Sequence, residues 1–125
     1  MKIQESAENY LETILMLGQS GQPVRSIDIV NELGFSKPSV SIAMKKLREN
    51  GYIFVDNDGH ITLSQTGSEI AERMYERHQL LSSFLIQLGV DEKTAVEDAC
   101  RIEHVISPET FSKLKEYTES KSRGN

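Results

Sequence analysis

The chain has 125 residues, enough for one compact domain or two small interlocked ones, and its 26% charged and 38% hydrophobic content is that of a globular protein rather than a disordered one. A formal net charge of −5 argues against a general polyanion binder, and the longest apolar run, Ile14-Leu15-Met16-Leu17, is far too short to span a membrane. Met1–Glu5 has no apolar core of a secretory signal, and one cysteine excludes an internal disulfide framework, so a reducing cytoplasm is the expected location.

Taken in chain order, Tyr10, Leu11, Ile14, Leu15 and Leu17 recur at helical spacing, which predicts an amphipathic helix over residues 4–17. Gly18-Gln19-Ser20-Gly21-Gln22-Pro23 breaks it. Ser26 is the expected N-cap of a short helix carrying Ile27, Ile29, Val30 and Leu33, closed by Gly34. Ser36 caps a third helix over 37–50, with Pro38 in its first turn, where a missing N–H is harmless. Val40, Met44 and Leu47 form its buried stripe, and Gly51 ends it.

The period then changes from helical to two. Tyr52-Ile53-Phe54-Val55 and His60-Ile61-Thr62-Leu63 flank the turn cluster Asp56-Asn57-Asp58-Gly59, which predicts a hairpin in which His60 is a solvated turn-flanking residue. A long helix is expected from Thr66 to about Leu88, stopped by Gly89. Another is expected over 91–106, and a last one from Ser107-Pro108-Glu109 to near Glu119, with Ser120–Asn125 frayed. No internal repeat or low-complexity tract is present.

Charge is unevenly distributed along this framework. Residues 1–21 carry a net −2, residues 22–66 are neutral and residues 67–125 carry −3. Within the neutral middle, residues 36–50 hold Lys37, Lys45, Lys46 and Arg48 against Glu49 alone. A small basic patch in an acidic chain suits a protein with one local anion-facing surface and another that gathers cations.

Short helix, glycine-containing turn, polar-faced helix and hairpin, in that order, make a winged helix-turn-helix. The 37–50 helix turns one face inward and leaves Ser36, Lys37, Pro38, Ser39, Ser41, Ile42, Lys45 and Lys46 as candidate DNA contacts. Short hydroxyl side chains at its N-terminal end can approach base edges or phosphates, helped by the helix dipole. Ile42 suits a thymine methyl group, and Lys45 and Lys46 suit phosphates. The alternative is a small helical domain with a solvated lysine face.

A second chemistry lies in Cys100-Arg101-Ile102-Glu103-His104. Positions i, i+3 and i+4 share a helix face, so thiolate, carboxylate and imidazole converge within one turn. Asn9 and Glu12 are likewise three apart on the first helix, and His78 lies midway along the long one. Taken singly, His78 reads as a hydrogen-bonded interior histidine, Cys100 as a small buried hydrophobe and Glu103–His104 as a solvated pair. The set on one turn is what points to a metal ion.

At these residues the chain resembles the diphtheria-toxin-repressor family of iron- and manganese-dependent transcriptional regulators, over about residues 5–119. The segments that carry the resemblance are Glu8-Asn9-Tyr10-Leu11-Glu12-Thr13-Ile14, Arg77-His78-Gln79-Leu80-Leu81 and Asp98-Ala99-Cys100-Arg101-Ile102-Glu103-His104-Val105-Ile106-Ser107. The resemblance implies a mostly α fold, with a winged helix-turn-helix DNA-binding domain over 1–66 and a helical metal-binding and dimerisation domain over 67–125. It implies activating ions between the two parts, held by Asn9, Glu12, His78, Cys100, Glu103 and His104. It also implies a homodimer on double-stranded palindromic operator DNA, repression of metal-uptake genes, no membrane partner, no organic cofactor and no enzymatic activity.

The ligand set is a hybrid of the two branches. Asn9 stands where the manganese branch has aspartate and the iron branch methionine, whereas Cys100 is the iron-branch residue at a manganese-branch glutamate position. Glu12 and the short C-terminus resemble the manganese branch. Ser82 and Val96 replace the glutamate and histidine of the iron branch's ancillary site, and too little chain follows residue 120 for the extra C-terminal domain of many iron-branch members. Two carboxylates, two imidazoles, an amide oxygen and one sulfur suit a borderline divalent ion with five or six ligands. Soft Cys100 and the missing carboxylate at Asn9 tilt the expectation slightly toward Fe²⁺ over Mn²⁺. Co²⁺, Ni²⁺ or Zn²⁺ should substitute in vitro, with affinity rising with pH as ligand protons leave.

Two rivals use the same residues. A winged-helix regulator could sense a thiol oxidant through Cys100, or a small ligand, without metal. A metal hydrolase is opposed by the lack of a correctly spaced second motif histidine, and by six donors that would leave no open position for water.

Overall fold

The computed structural model describes residues 5–122 and contains, in order, α1 (Glu5–Gly18), α2 (Ser26–Leu33), α3 (Lys37–Glu49), β1 (Ile53–Val55), β2 (Ile61–Leu63), α4 (Gln65–Gln87), α5 (Glu92–Ile102) and α6 (Pro108–Ser122). The chain divides into two compact units, Met1–Arg73 and Met74–Asn125, with the division inside α4.

The first unit is a winged helix-turn-helix. Its core gathers Tyr10, Leu11 and Ile14 of α1, Ile29 of α2 and Val40, Met44 and Leu47 of α3, with Val24, Ile53, Ile61, Ile70 and Ala71. The expected α3 stripe is therefore the buried one. Between α2 and α3, Gly34 takes the left-handed conformation (φ 72°) and its N–H bonds to the Val30 carbonyl at 2.8 Å, which closes α2 and allows the sharp turn. The Ser36 hydroxyl then accepts the Ser39 N–H (3.3 Å) as N-cap of α3. At α2 the expected cap is displaced by one residue. Arg25 is the N-cap, because the Asp28 carboxylate reaches back to its N–H at 2.8 Å, and Ser26 is already helical.

The wing is an antiparallel pair with Ile53 opposite Leu63 and Val55 opposite Ile61. Val24 adds one bridge on the far side of β2, with the Ile61 N–H donating to the Val24 carbonyl at 2.7 Å. The wing is fastened to α4 by Ser64. Its hydroxyl donates to the Gly51 carbonyl (2.7 Å) and accepts the Gly67 N–H (3.1 Å), which caps α4 one residue earlier than the sequence suggests.

In the second unit Met74, Arg77 and Leu81 of α4 are buried, spaced three and four apart, and α5 buries Ala95 and Ala99. Asp91 caps α5 by accepting the Thr94 N–H, and the Ser107 hydroxyl caps α6 by accepting that of Thr110. The helix expected over 91–106 ends at Ile102. Glu103, His104 and Val105 form a tightening turn in which the Val105 N–H bonds to the Ile102 carbonyl at 3.0 Å. α6 continues past Glu119 to Ser122, so Ser120–Ser122 are helical rather than frayed, and residues 123–125 of that expectation lie outside the described residues. No helix among the described residues is long and apolar enough to cross a membrane.

Candidate metal centre and nucleic-acid interface

α3 presents two faces because Val40, Met44 and Leu47 are three and four residues apart. Ser36, Lys37, Pro38, Ser39, Ser41, Ile42, Lys45 and Lys46 are all exposed, and Ile42 is 58% exposed despite being aliphatic. A large aliphatic side chain held in water on a polar helix face fits a surface whose apolar contact is supplied by a partner. Beside it runs a groove of about 310 Å³ lined by Ser26, Ser41, Ile42, Met44, Lys45, Arg48 and Val55. Ser26, Arg48 and Val55 were not among the sequence-derived contacts. Arg48 was visible in the basic count, but only the fold brings the start of α2 and β1 beside α3.

The tip of the wing is a hydrogen-bonded turn. One Asp56 carboxylate oxygen accepts the backbone N–H groups of Asp58 and His60, each at 2.9 Å. These bonds, that of His60 first, hold the Asp56 carboxyl below its ordinary value. A carboxyl lowered on folding contributes at neutral pH, and the contribution fades as pH falls through its folded value. His60, expected to be solvated, is instead engaged on both ring nitrogens, by Arg25 at 2.9 Å and Asp56 at 3.4 Å.

In the second unit three of the expected ligands come together. His78 Nδ1 lies 2.8 Å from a Glu103 carboxylate oxygen, and His104 Nε2 lies 3.9 Å from the other. The Glu103 side chain is fully buried, that of His104 is 3% exposed and that of His78 17%. A carboxylate only accepts, so His78 carries its proton on Nδ1, and in the neutral ring Nε2 bears the free lone pair. Such a carboxylate–imidazole contact is how proteins orient a metal-binding histidine. Cys100 is half-buried at the end of α5. A buried carboxylate flanked by two imidazoles, one turn from a thiol, is a donor set that fits a borderline divalent cation.

Arg77 holds this turn in place. Its guanidinium donates to the carbonyls of Glu103 and Ile106, each at 3.0 Å, and lies 5.4 Å from the centre of the Phe111 ring. The sequence marked Arg77 only as part of a motif, since its partners are a turn and a helix more than twenty residues away. Replacing Arg77 with Met keeps the bulk but removes both bonds. The second unit should lose roughly 2–3 kcal/mol, read as a lower melting temperature in chelator. An unchanged melting temperature would show that the turn is held by other contacts.

In the first unit, Asn9 and Glu12 lie on α1, where Glu12 is 4% exposed and the Asn9 carbonyl accepts the Thr13 hydroxyl at 2.8 Å. The cluster Asp56, Asp58 and His60 also brings three ligand-type atoms close together, but it is exposed and the Arg25 guanidinium occupies His60.

Comparison with known proteins matches both halves of the chain. Residues 2–61 match the family model of the iron-dependent repressor N-terminal DNA-binding domain, and residues 64–123 that of the iron-dependent repressor metal-binding and dimerisation domain. An uncharacterised helix-turn-helix transcriptional regulator of Methanocaldococcus jannaschii is 35% identical over 117 residues, covering 92% of this chain and 94% of the relative. The transcriptional regulator MntR of Salmonella typhi is 32% identical over 115 residues, covering 92% of this chain and 73% of MntR. The structure of the manganese regulator SloR superposes with a TM-score of 0.81 at 25% identity, covering 95% of this chain. The chain spans 55% of the length of that SloR structure. With both halves matched, in that order, over nearly its whole length, the chain belongs to the iron-dependent (diphtheria-toxin) repressor family of transcriptional regulators, which are DNA-binding proteins and not enzymes.

Proposed function

We propose that this chain is a metal-activated repressor that binds a palindromic operator as a homodimer, with Fe²⁺ or Mn²⁺ as effector, and that it controls metal uptake. The observation that carries the reading is the buried Glu103 carboxylate flanked by His78 and His104, in a chain whose first unit is a winged helix-turn-helix. Asn9, Glu12, His78, Cys100, Glu103 and His104 would hold the metal. A bound divalent ion supplies positive charge that makes this concentration of carboxylates favourable.

The rest follows from the chain's own residues. Ser36, Lys37, Pro38, Ser39 and Ser41 bring the N-terminal end of α3 against bases and phosphates, and Ile42 meets a thymine methyl group. Lys45 and Lys46 neutralise phosphates and carry the salt dependence. Ile86, Leu88, Val96, Val105 and Tyr117 of the second unit are large exposed apolar residues, which supports a dimerisation surface there. With proposed ligands on α1 as well as in the second unit, metal and DNA each favour the other's binding, and the two couplings are equal by linkage.

The presence of Cys100 supports Fe²⁺, whereas the likeness to solved structures of a manganese regulator and a manganese-dependent repressor supports Mn²⁺. The deciding experiment is anaerobic titration of DNA binding to the chain's own upstream region with Fe²⁺, Mn²⁺ and Zn²⁺, beside a chelator control. A divalent ion should switch binding on, and Cys100→Ala should move the preference toward Mn²⁺ by about tenfold. Binding as tight in chelator as with any ion would end the metal reading and leave only a winged-helix DNA binder.

A further inference from the structure

The start of α2 and the wing are joined side chain to side chain. The bridge between Val24 and Ile61 lays the residue before Arg25 against β2, and the Arg25 N–H donates to the Asp28 carboxylate at 2.8 Å. The backbone of Arg25 is therefore fixed on both sides. Its guanidinium donates to Nε2 of His60 at 2.9 Å, while Nδ1 of His60 faces the Asp56 carboxylate at 3.4 Å. A guanidinium has no acceptor, so Nε2 carries no proton, and His60 is the neutral tautomer with its Nδ1–H toward Asp56. Asp56 is in turn held by the two backbone N–H groups of its own turn.

This chain of contacts ends in Arg25, the chain neighbour of Ser26, and Ser26 lines the groove that also holds Ser41, Ile42, Lys45 and Arg48. One terminal nitrogen of Arg25 is used on His60, and a guanidinium carries further N–H donors that a second partner can take. The direct hydrogen bonds of the nearby carboxylates go elsewhere, those of Asp28 to the Arg25 backbone and those of Asp56 to its own turn, although the Arg25 charge also helps to hold the Asp56 carboxyl low. An exposed arginine ordinarily loses side-chain entropy when it binds, and a guanidinium already held loses less.

We propose that Arg25 contacts a DNA phosphate and that His60, oriented by Asp56, is its positioning residue, so that the wing contributes to affinity through α2 as well as through any contact of its own. This assignment rests on the DNA-binding reading above. It gives His60 a role that neither its exposure nor its place beside a turn suggests.

The test uses the full chain and a duplex selected from a random pool by the Mn²⁺-loaded wild-type protein, with affinity measured against salt. Arg25→Ala should weaken binding ~10-fold and reduce the salt slope by about 0.9 per protomer. His60→Ala should weaken it ~3-fold, and the double variant should bind no worse than Arg25→Ala alone. His60→Gln, whose amide oxygen can accept from the guanidinium, should restore wild-type affinity. Wild-type affinity in His60→Ala, or losses that multiply in the double variant, would overturn the positioning role. An unchanged salt slope in Arg25→Ala would overturn the phosphate contact. The ring-nitrogen NMR shifts of His60 in the DNA-free protein give a second readout: a proton on Nε2 would contradict the arrangement even if a variant folded poorly. If the wild-type protein selects no duplex, the DNA-binding reading itself fails, and the role of Arg25 with it.

Discussion

Glu103→Gln should abolish the metal response of DNA binding while leaving the protein folded. The side chain is fully buried, so the substitution must match its shape, and Gln does. The His78 Nδ1–H, 2.8 Å from the carboxylate, can still donate to an amide oxygen. The backbone of the turn stays under the Arg77 guanidinium, which contacts the carbonyl of residue 103 and not its side chain. What is lost is a negative charge and a proposed ligand oxygen between two imidazoles. Removing outer-shell partners of metal ligands costs about 10–100-fold in affinity, so loss of this central carboxylate should weaken Mn²⁺ and Co²⁺ binding by ~100-fold or more. Calorimetric titration reads the affinity and DNA anisotropy reads the response. A folded E103Q variant that still binds DNA only with metal would remove Glu103 from the ligand set.

Gly67→Ala should destabilise the first unit by about 3 kcal/mol, at the upper end of ordinary overpacking costs. Gly67 lies in the first turn of α4, directly over the chain that leads into the wing. A Cβ there would run into the Tyr52 carbonyl oxygen, with the carbonyl carbon at 3.0 Å and Cα at 3.4 Å. That carbonyl cannot step aside freely, because it accepts the Ser64 N–H at 3.0 Å, and Ser64 is the residue that caps α4. Relief of the clash must therefore disturb the wing, the cap or the start of α4. Domains are stable by only about 5–15 kcal/mol, so urea unfolding should show the loss as a clearly lower midpoint. A midpoint within error of wild type would mean that α4 can lift from Tyr52 at little cost.

These two expectations differ in how far the sequence leads to them. Glu103 stands out in the sequence, because Cys100, Glu103 and His104 combine three donor types within one turn of chain. Gly67 does not, because its neighbour is backbone contributed by Tyr52, fifteen residues earlier, and nothing local signals the approach. Arg25 is similar: a lone basic residue before a short helix acquires meaning only when the wing folds back and sets His60 against it.

By itself the sequence determined the order and type of the elements, since helical spacing, the switch to period two and the glycine and serine boundary residues act over a few neighbouring positions. It also determined which face of α3 is buried, for Val40, Met44 and Leu47 leave no other choice. Only the tertiary structure decided where α5 ends, because Arg77 captures the Glu103 and Ile106 carbonyls and lets the chain turn after Ile102. It alone decided that His78 meets Glu103 and that the wing grips Arg25. Those contacts join residues 25 to 35 positions apart, and such pairs are fixed by packing rather than by any local pattern.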